Sequence, residues 1–259
     1  MTKGTALVTG ASAGLGMLFA EALGRQGHDL ILTARRAERL EALATAIRAE
    51  TGVKVTVIPA DLAEPGAVPA LMAEIRRQGL AVNTLINNAG FGASGPLAAA
   101  EPGRIVRMIE LNCRALVELT HAVLPGMIQT RSGAILNVAS TAAFQPGPGM
   151  AVYYATKAFV LSFSEAIHEE ARGHGVRVSA LCPGPTATEF FDAAGTSDDF
   201  ALKKLAGDPA TVVRDGLRAL EANRAVKVSG AMNAVMAASV RFTPRWLIRR
   251  VVAGIQRSR

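Results

Sequence analysis

Residues 9–16 read Thr-Gly-Ala-Ser-Ala-Gly-Leu-Gly, directly after the apolar run 6–8 and directly before a helical pattern that begins near residue 15. A bare glycine pattern says little, but a strand before it and a helix after it make it a phosphate-binding turn. Gly10 permits the tight turn, Gly14 the close approach of a pyrophosphate, and Gly16 the close packing of helix on strand. Ser12, Ala13 and Leu15 complete the ligand-facing surface. The helix start behind them supplies amide donors and the positive end of a dipole.

Outward from this turn, short runs rich in β-branched residues alternate with longer helical patterns. Strands are expected near 5–9, 28–33, 53–58, 83–87, 133–139, 176–181 and 225–228. Helices are expected near 15–26, 37–50, 66–78, 103–129, 151–173 and 209–222. Right-handed crossovers then put helices on both faces of a parallel sheet. The fold class is α/β, a single-domain doubly wound (Rossmann-type) parallel sheet of about seven strands. That domain is expected to cover 1–230, with 231–259 as a basic amphipathic C-terminal extension of it. The stretch 186–207, mixed in polarity and bounded by Pro183, Gly184, Pro185 and Pro209, breaks the rhythm and reads as a substrate lid.

Composition narrows the function classes. Of the net charge of +7 carried by 259 residues, +6 lies in 231–259, where Arg241, Arg245, Arg249, Arg250, Arg257 and Arg259 meet no acid. The remaining +1 is no general nucleic-acid surface, so no nucleic-acid partner is expected. Cys113 and Cys182 lack metal-ligand spacing, and His28, His121, His168 and His174 form no ligand pair; no metal is expected, and both cysteines read as packing residues. Without an apolar stretch long enough to span a bilayer and without a secretory leader, the expected setting is the cytoplasm, with a peripheral membrane location left open.

At the end of the second strand, where a chain binding NAD(H) carries an acid for the ribose hydroxyls, this one has Arg35 and Arg36. Guanidinium groups there favour a 2′-phosphate, so NADP(H) is expected and NAD(H) is the weaker alternative. Further along, Tyr153 and Lys157 are spaced to share one helix face, and the strand 133–139 delivers Ser140 thirteen residues before Tyr153 to the carboxyl edge of the sheet. A cation beside the phenol favours tyrosinate, so Lys157 is expected to lower the Tyr153 pKa. Alone, Tyr-x-x-x-Lys is a weak pattern that a helix surface pair also satisfies.

Taken together, residues 9–16, Asp61-Leu62, Asn87-Asn88-Ala89-Gly90, Asn112, Ser140, Tyr153, Lys157 and Pro183-Gly184 resemble, in order and spacing, the short-chain dehydrogenases/reductases. The resemblance covers about 4–230. It implies Asn112, Ser140, Tyr153 and Lys157 as catalytic residues, Asp61 and Leu62 beside the adenine, and Asn88, Ala89 and Gly90 along the cofactor. Pro183, Gly184, Thr186 and Thr188 would meet the nicotinamide or phosphate, and Tyr153 and Lys157 would also touch the cofactor. Asn112 would hold a water in a proton relay. The implied reaction is hydride transfer between a ketone or aldehyde and an alcohol, with Tyr153 as proton donor or acceptor. Tyr154 lacks a lysine four residues on, which leaves the acid role with its neighbour.

Phe91, Phe144, Met150, Phe190 and Phe191 are the candidate substrate-pocket residues, joined by Phe200, and favour an apolar carbonyl compound, although aromatics at these places also suit a core. A catalytically idle NADP(H)-binding sensor and a membrane-peripheral reductase of lipid-like ketones are the alternatives. Thr243 and Pro244 read as the cap and first residue of a last helix. That helix could cover the substrate opening, pack on a subunit or touch a membrane weakly through 241–259. The family resemblance implies a homodimer or homotetramer built on the long helices 103–129 and 151–173.

Overall fold

The computed structural model describes residues 3–189 and 206–257. Its sheet has seven parallel strands: β1 (Thr5–Thr9), β2 (Asp29–Thr33), β3 (Val55–Val57), β4 (Val82–Asn87), β5 (Gly133–Val138), β6 (Val176–Cys182) and β7 (Val226–Val228). They lie in the order β3-β2-β1-β4-β5-β6-β7. The order reverses between β1 and β4, and at such a switch point the strand ends splay open into a crevice.

Each central strand feeds two cores because its side chains alternate. Ala6, Val8, Leu30, Leu32, Ile86 and Leu136 join one apolar cluster with Phe19, Leu23, Leu40, Ile47 and Leu217. Leu7, Ile31, Leu85 and Ile135 join the other with Leu71, Ile75, Leu119 and Val123. The first cluster belongs to α1 (Gly14–Arg25), α2 (Ala37–Thr51) and α7 (Pro209–Glu221), the second to α3 (Ala67–Arg77), α5 (Leu116–Gln129) and α6 (Ala151–Arg172). Strands buried on both sides in this way read as nearly continuous apolar runs, which is why the sequence shows them.

Three elements differ from the sequence expectation. The long helix 103–129 is α4 (Pro102–Ile109), a π-helical stretch (Glu110–Ala115) and α5. An additional helix, α8 (Ala231–Ser239), precedes α9 (Arg245–Arg257). Thr243 does not cap α9 with its hydroxyl, which turns back to donate to the Ser239 carbonyl at 2.9 Å, while the Pro244 carbonyl accepts from Leu247 and Ile248.

Buried polar groups pin the layers together. Asn87 of β4 donates to Asn137 of β5 at 2.9 Å and to Thr120 of α5 at 3.2 Å, and Asn137 donates to Ser164 of α6 at 2.9 Å. This chain of bonds fixes how α5 and α6 sit on the sheet, while the Asn87 Oδ1 stays buried without a hydrogen-bond partner among the described residues. At the carboxyl edge, the two ends of the excursion 186–207 meet: Thr186 and Gly207 form a parallel bridge. Most of the expected lid lies outside the described residues.

Candidate active site at the carboxyl edge of the sheet

The turn after β1 is locked from across the switch point. The Thr9 hydroxyl accepts from the backbone amides of Asn88 and Ala89 at 3.0 and 2.9 Å, and the Asn88 amide donates to the Thr9 carbonyl at 2.9 Å. Gly10 and Gly14 have φ of 65° and 55°, a region that favours glycine. A Cβ on Gly14 would lie 3.2 Å from Thr188, so the bare backbone lets the chain after β6 close over the turn. Gly16 plays a different part from the others. A Cβ there would sit 2.2 Å from the Gly10 carbonyl, so Gly16 packs helix on turn and does not line the cavity.

A continuous cavity of about 680 Å³ runs along this edge. It is lined, in the order of the strands they follow, by Asp61 and Leu62 after β3, Arg35 and Arg36 after β2, Gly10, Ser12, Ala13, Gly14 and Leu15 after β1, Asn88, Ala89 and Gly90 after β4, and Ser140 after β5 with Tyr153 and Lys157 of α6. Pro183, Gly184, Thr186 and Thr188 form the opposite wall. Of the residues expected around the cofactor, Gly16 alone stays off the wall. An elongated cleft with backbone amides at a helix start in its middle and guanidinium groups toward one end fits a dinucleotide carrying an extra phosphate.

At the far end the catalytic candidates converge. Burial pushes the Tyr153 phenol up to about 12 against the opposing hydrogen bond from Ser140. The Ser140 hydroxyl also accepts from the Ala142 amide at 3.1 Å, which holds it on the rim of β5. Lys157 is equally buried; its ammonium donates to the Val138 carbonyl at 2.8 Å and lies 5.9 Å from the centre of the Tyr153 ring. Desolvation pulls Lys157 down to about 8. Without a bound nucleotide, burial outweighs any lowering of the tyrosine by Lys157. Burial dominates both groups, and the ammonium is turned to a backbone carbonyl.

Asn112 sits in the π-helical stretch, whose wider turn sets it against the site. Its side chain accepts from the Phe91 amide at 3.1 Å and donates to the Phe91 carbonyl and the Thr156 hydroxyl, both at 3.0 Å. It thus ties the loop after β4 to α6. Gly90 makes room for it, since a Cβ there would come within 2.9 Å of the Asn112 oxygen and 3.6 Å of the Lys157 nitrogen.

Among the substrate-pocket candidates, Phe91 and Met150 line the cavity and pack with Met108, Ala142 and Tyr153. Phe144 does not; half-buried at the end of the short 3-10 turn Thr141–Phe144, it packs against the apolar cluster that contains Leu116, Val160 and Leu161. Phe190, Phe191 and Phe200 lie outside the described residues. Sequence reasoning missed Tyr154, Gln145 and Arg104 on the cavity wall. Tyr154 stands edge-on to Tyr153, ring centres 6.1 Å apart, over Gly147, where any Cβ would strike its ring. Missed as well was Glu189, whose carboxylate joins Arg36 and Arg39.

Comparison with known proteins agrees with this geometry. A family model described as short chain dehydrogenase matches residues 4–199. Sulfoacetaldehyde reductase 2 of Chromohalobacter salexigens is 40% identical over 186 residues, covering 71% of this chain and 73% of its own. An NADP-dependent 3-hydroxy acid dehydrogenase of Salmonella typhi is 38% identical over 195 residues, covering 74% and 77%. Among solved structures, a short-chain dehydrogenase from Sphingobium yanoikuyae in complex with NADPH superimposes with a TM-score of 0.81 at 38% identity, covering 87% of each chain. A bulky-bulky ketone specific alcohol dehydrogenase from Comamonas testosteroni gives 0.80 at 32%, covering 93% of each.

Proposed function

The chain belongs to the short-chain dehydrogenase/reductase family of oxidoreductases, and from that premise we propose that it interconverts a ketone or aldehyde and an alcohol using NADP(H). The observation that carries the reading is one cavity lined by Arg35 and Arg36 and also by half-buried Ser140 and buried Tyr153 and Lys157. The NADPH-bound neighbour and the NADP-dependent relative support the choice of nucleotide.

When bound, NADPH supplies the hydride. The chain's own residues do the rest. Ser140 holds the substrate oxygen by hydrogen bonding, and Tyr153, protonated through the neutral range, donates a proton to that oxygen. In the oxidative direction the tyrosinate takes the proton back. Lys157 holds the ribose of the nucleotide and, with its protonation poised near pH 8, passes a proton toward solvent past Gly90 and Asn112. Asn112 keeps Phe91 and Thr156 in place around that route. Asp61, fixed by a 2.7 Å ion pair with Arg107, and buried Leu62 flank the adenine.

Phe91, Met150 and Tyr154 give the substrate end an apolar wall, which favours an apolar or aromatic carbonyl compound. The relatives named as acting on sulfoacetaldehyde and on 3-hydroxy acids make small anionic carbonyl compounds the contrasting class. A panel of aliphatic, aromatic and anionic carbonyl compounds, each with NADPH and NADH, tests the proposal through nicotinamide absorbance. Faster turnover of bulky apolar ketones with NADPH supports it. Tight NADPH binding without turnover across the panel would favour a sensor.

The tail favours a second reading of where the enzyme works. Phe242 and Trp246 are 89% and 54% exposed beside Arg241, Arg245, Arg249 and Arg250, and Arg250 covers the Trp246 ring at 5.4 Å. Aromatics and arginines together on one helix suit the headgroup layer of an anionic membrane. No described helix is long and apolar enough to cross one. The same enzyme would then act at the membrane surface. A homo-oligomer also belongs to the proposal, since Val106, Ile109 and Phe159 stand exposed on α4, its end and α6.

A further inference from the structure

Glu189 follows directly on Thr188 and reaches across to the start of α2. Its carboxylate accepts from Arg36 Nη1 at 3.0 Å through one oxygen and from Arg39 Nη1 at 2.7 Å through the other. Arg36 is held on its other side by the phosphate turn: its Nε donates to the Ser12 hydroxyl at 3.2 Å and its Nη2 to the Ser12 carbonyl at 3.4 Å. Arg36, Ser12 and Glu189 all line the cavity; so does Arg35, which makes no ion pair among the described residues. A carboxylate therefore already occupies the guanidinium that a 2′-phosphate would engage.

We propose that Glu189 is a specificity-determining residue that competes with the 2′-phosphate of the nucleotide for Arg36 and so limits the preference for NADP(H). The inference rests on the cofactor reading above and deepens it. A phosphate dianion entering beside Arg36 either displaces the carboxylate or bears its repulsion, and each weakens the phosphate's gain. A nucleotide with a bare ribose hydroxyl meets neither penalty. Arg39, off the cavity wall, keeps the displaced carboxylate within reach. At an exposed site like this the electrostatic effect is modest, on the order of a fivefold change in affinity.

The test is calorimetric binding of adenosine 2′,5′-bisphosphate and of 5′-AMP to the full chain, wild type and Glu189→Gln. The expected result is that the wild type prefers the bisphosphate and that E189Q binds it roughly three- to tenfold more tightly while 5′-AMP affinity stays within about twofold. The gain should vanish in an Arg36→Gln background, which localises the competition to that guanidinium. Thermal melts without nucleotide confirm that each variant is folded. Bisphosphate affinity that is unchanged or weaker in E189Q overturns the inference, because the acid would then be neutral or would orient the arginines for the phosphate. Equal binding of both ligands by the wild type and by E189Q overturns the cofactor reading and this inference with it; a wild-type preference that E189Q leaves unmoved overturns this inference alone.

Discussion

Lys157 is a buried cation whose charge is costly to hold. Desolvation lowers it from 10.5 to about 8, which corresponds to about 3 kcal/mol of cost for holding the cation at neutral pH. Because the folded value lies below the ordinary one, the cost is full below pH 8 and fades as pH rises toward 10.5. Lys157→Met should thus stabilise the nucleotide-free chain at pH 6.5 by about 1–2 kcal/mol, the lost bond to Val138 offsetting part of the gain. That advantage should shrink by pH 10; melts at both values check it, and a destabilised variant at pH 6.5 would contradict it. Tyr153, raised to about 12, has the opposite sign: its contribution is intact below pH 10 and is lost as pH climbs toward 12. On the proposed mechanism alcohol oxidation draws on the tyrosinate, so it should rise with pH while ketone reduction changes less. Arg35→Ala should weaken NADPH by about tenfold or more and NADH by much less, read by fluorescence titration. Tyr153, Lys157 and Ser140 are legible in the sequence because their chemistry lies in local spacing. Glu189 is not, since its partners Arg36 and Arg39 are about 150 positions away. Phe144 misleads because an aromatic beside a site can turn either way.

At the level of elements, the π-helical stretch Glu110–Ala115 is the device that sets the site. Its six residues keep Asn112 against the Phe91 backbone and Thr156, and the bare Gly90 lets them close. Asn112→Ala leaves the Phe91 amide and carbonyl without their partner, and should destabilise the chain by about 2–3 kcal/mol and lower kcat more than it changes NADPH affinity. A denaturant midpoint unchanged from wild type would refute that. The sequence shows one long helix here because a π turn leaves the apolar pattern on either side of it intact. Helix α8 escapes notice for a related reason: residues 231–239 are mostly small and apolar with no polar face to mark a period. Its Asn233 backs the Pro183-Gly184 turn so closely that a Cβ on Gly184 would lie 2.4 Å from the amide nitrogen.

Across the whole molecule, the strand order follows from alternation of apolar runs and helices, and the sheet's switch point falls where the glycine turn and the Asn87-Asn88 corner meet. Assembly and surface are less legible, because exposed apolar residues serve many partners. Val106→Glu together with Phe159→Glu should shift the sedimenting species to monomer if α4 and α6 form the subunit contact. Replacing Arg245, Arg249 and Arg250 by Gln should abolish salt-sensitive sedimentation with anionic vesicles while sparing turnover of a water-soluble ketone; wild-type chain that ignores such vesicles removes the membrane reading. The central claim is that Tyr153 delivers the proton within a site whose nucleotide pocket stands independently of it. Turnover and NADPH binding by Tyr153→Phe, measured on the same preparation, test it most directly. The expected result is a loss of about a hundredfold to ten-thousandfold in kcat with NADPH affinity essentially unchanged. Retention of more than about a tenth of wild-type turnover would contradict it.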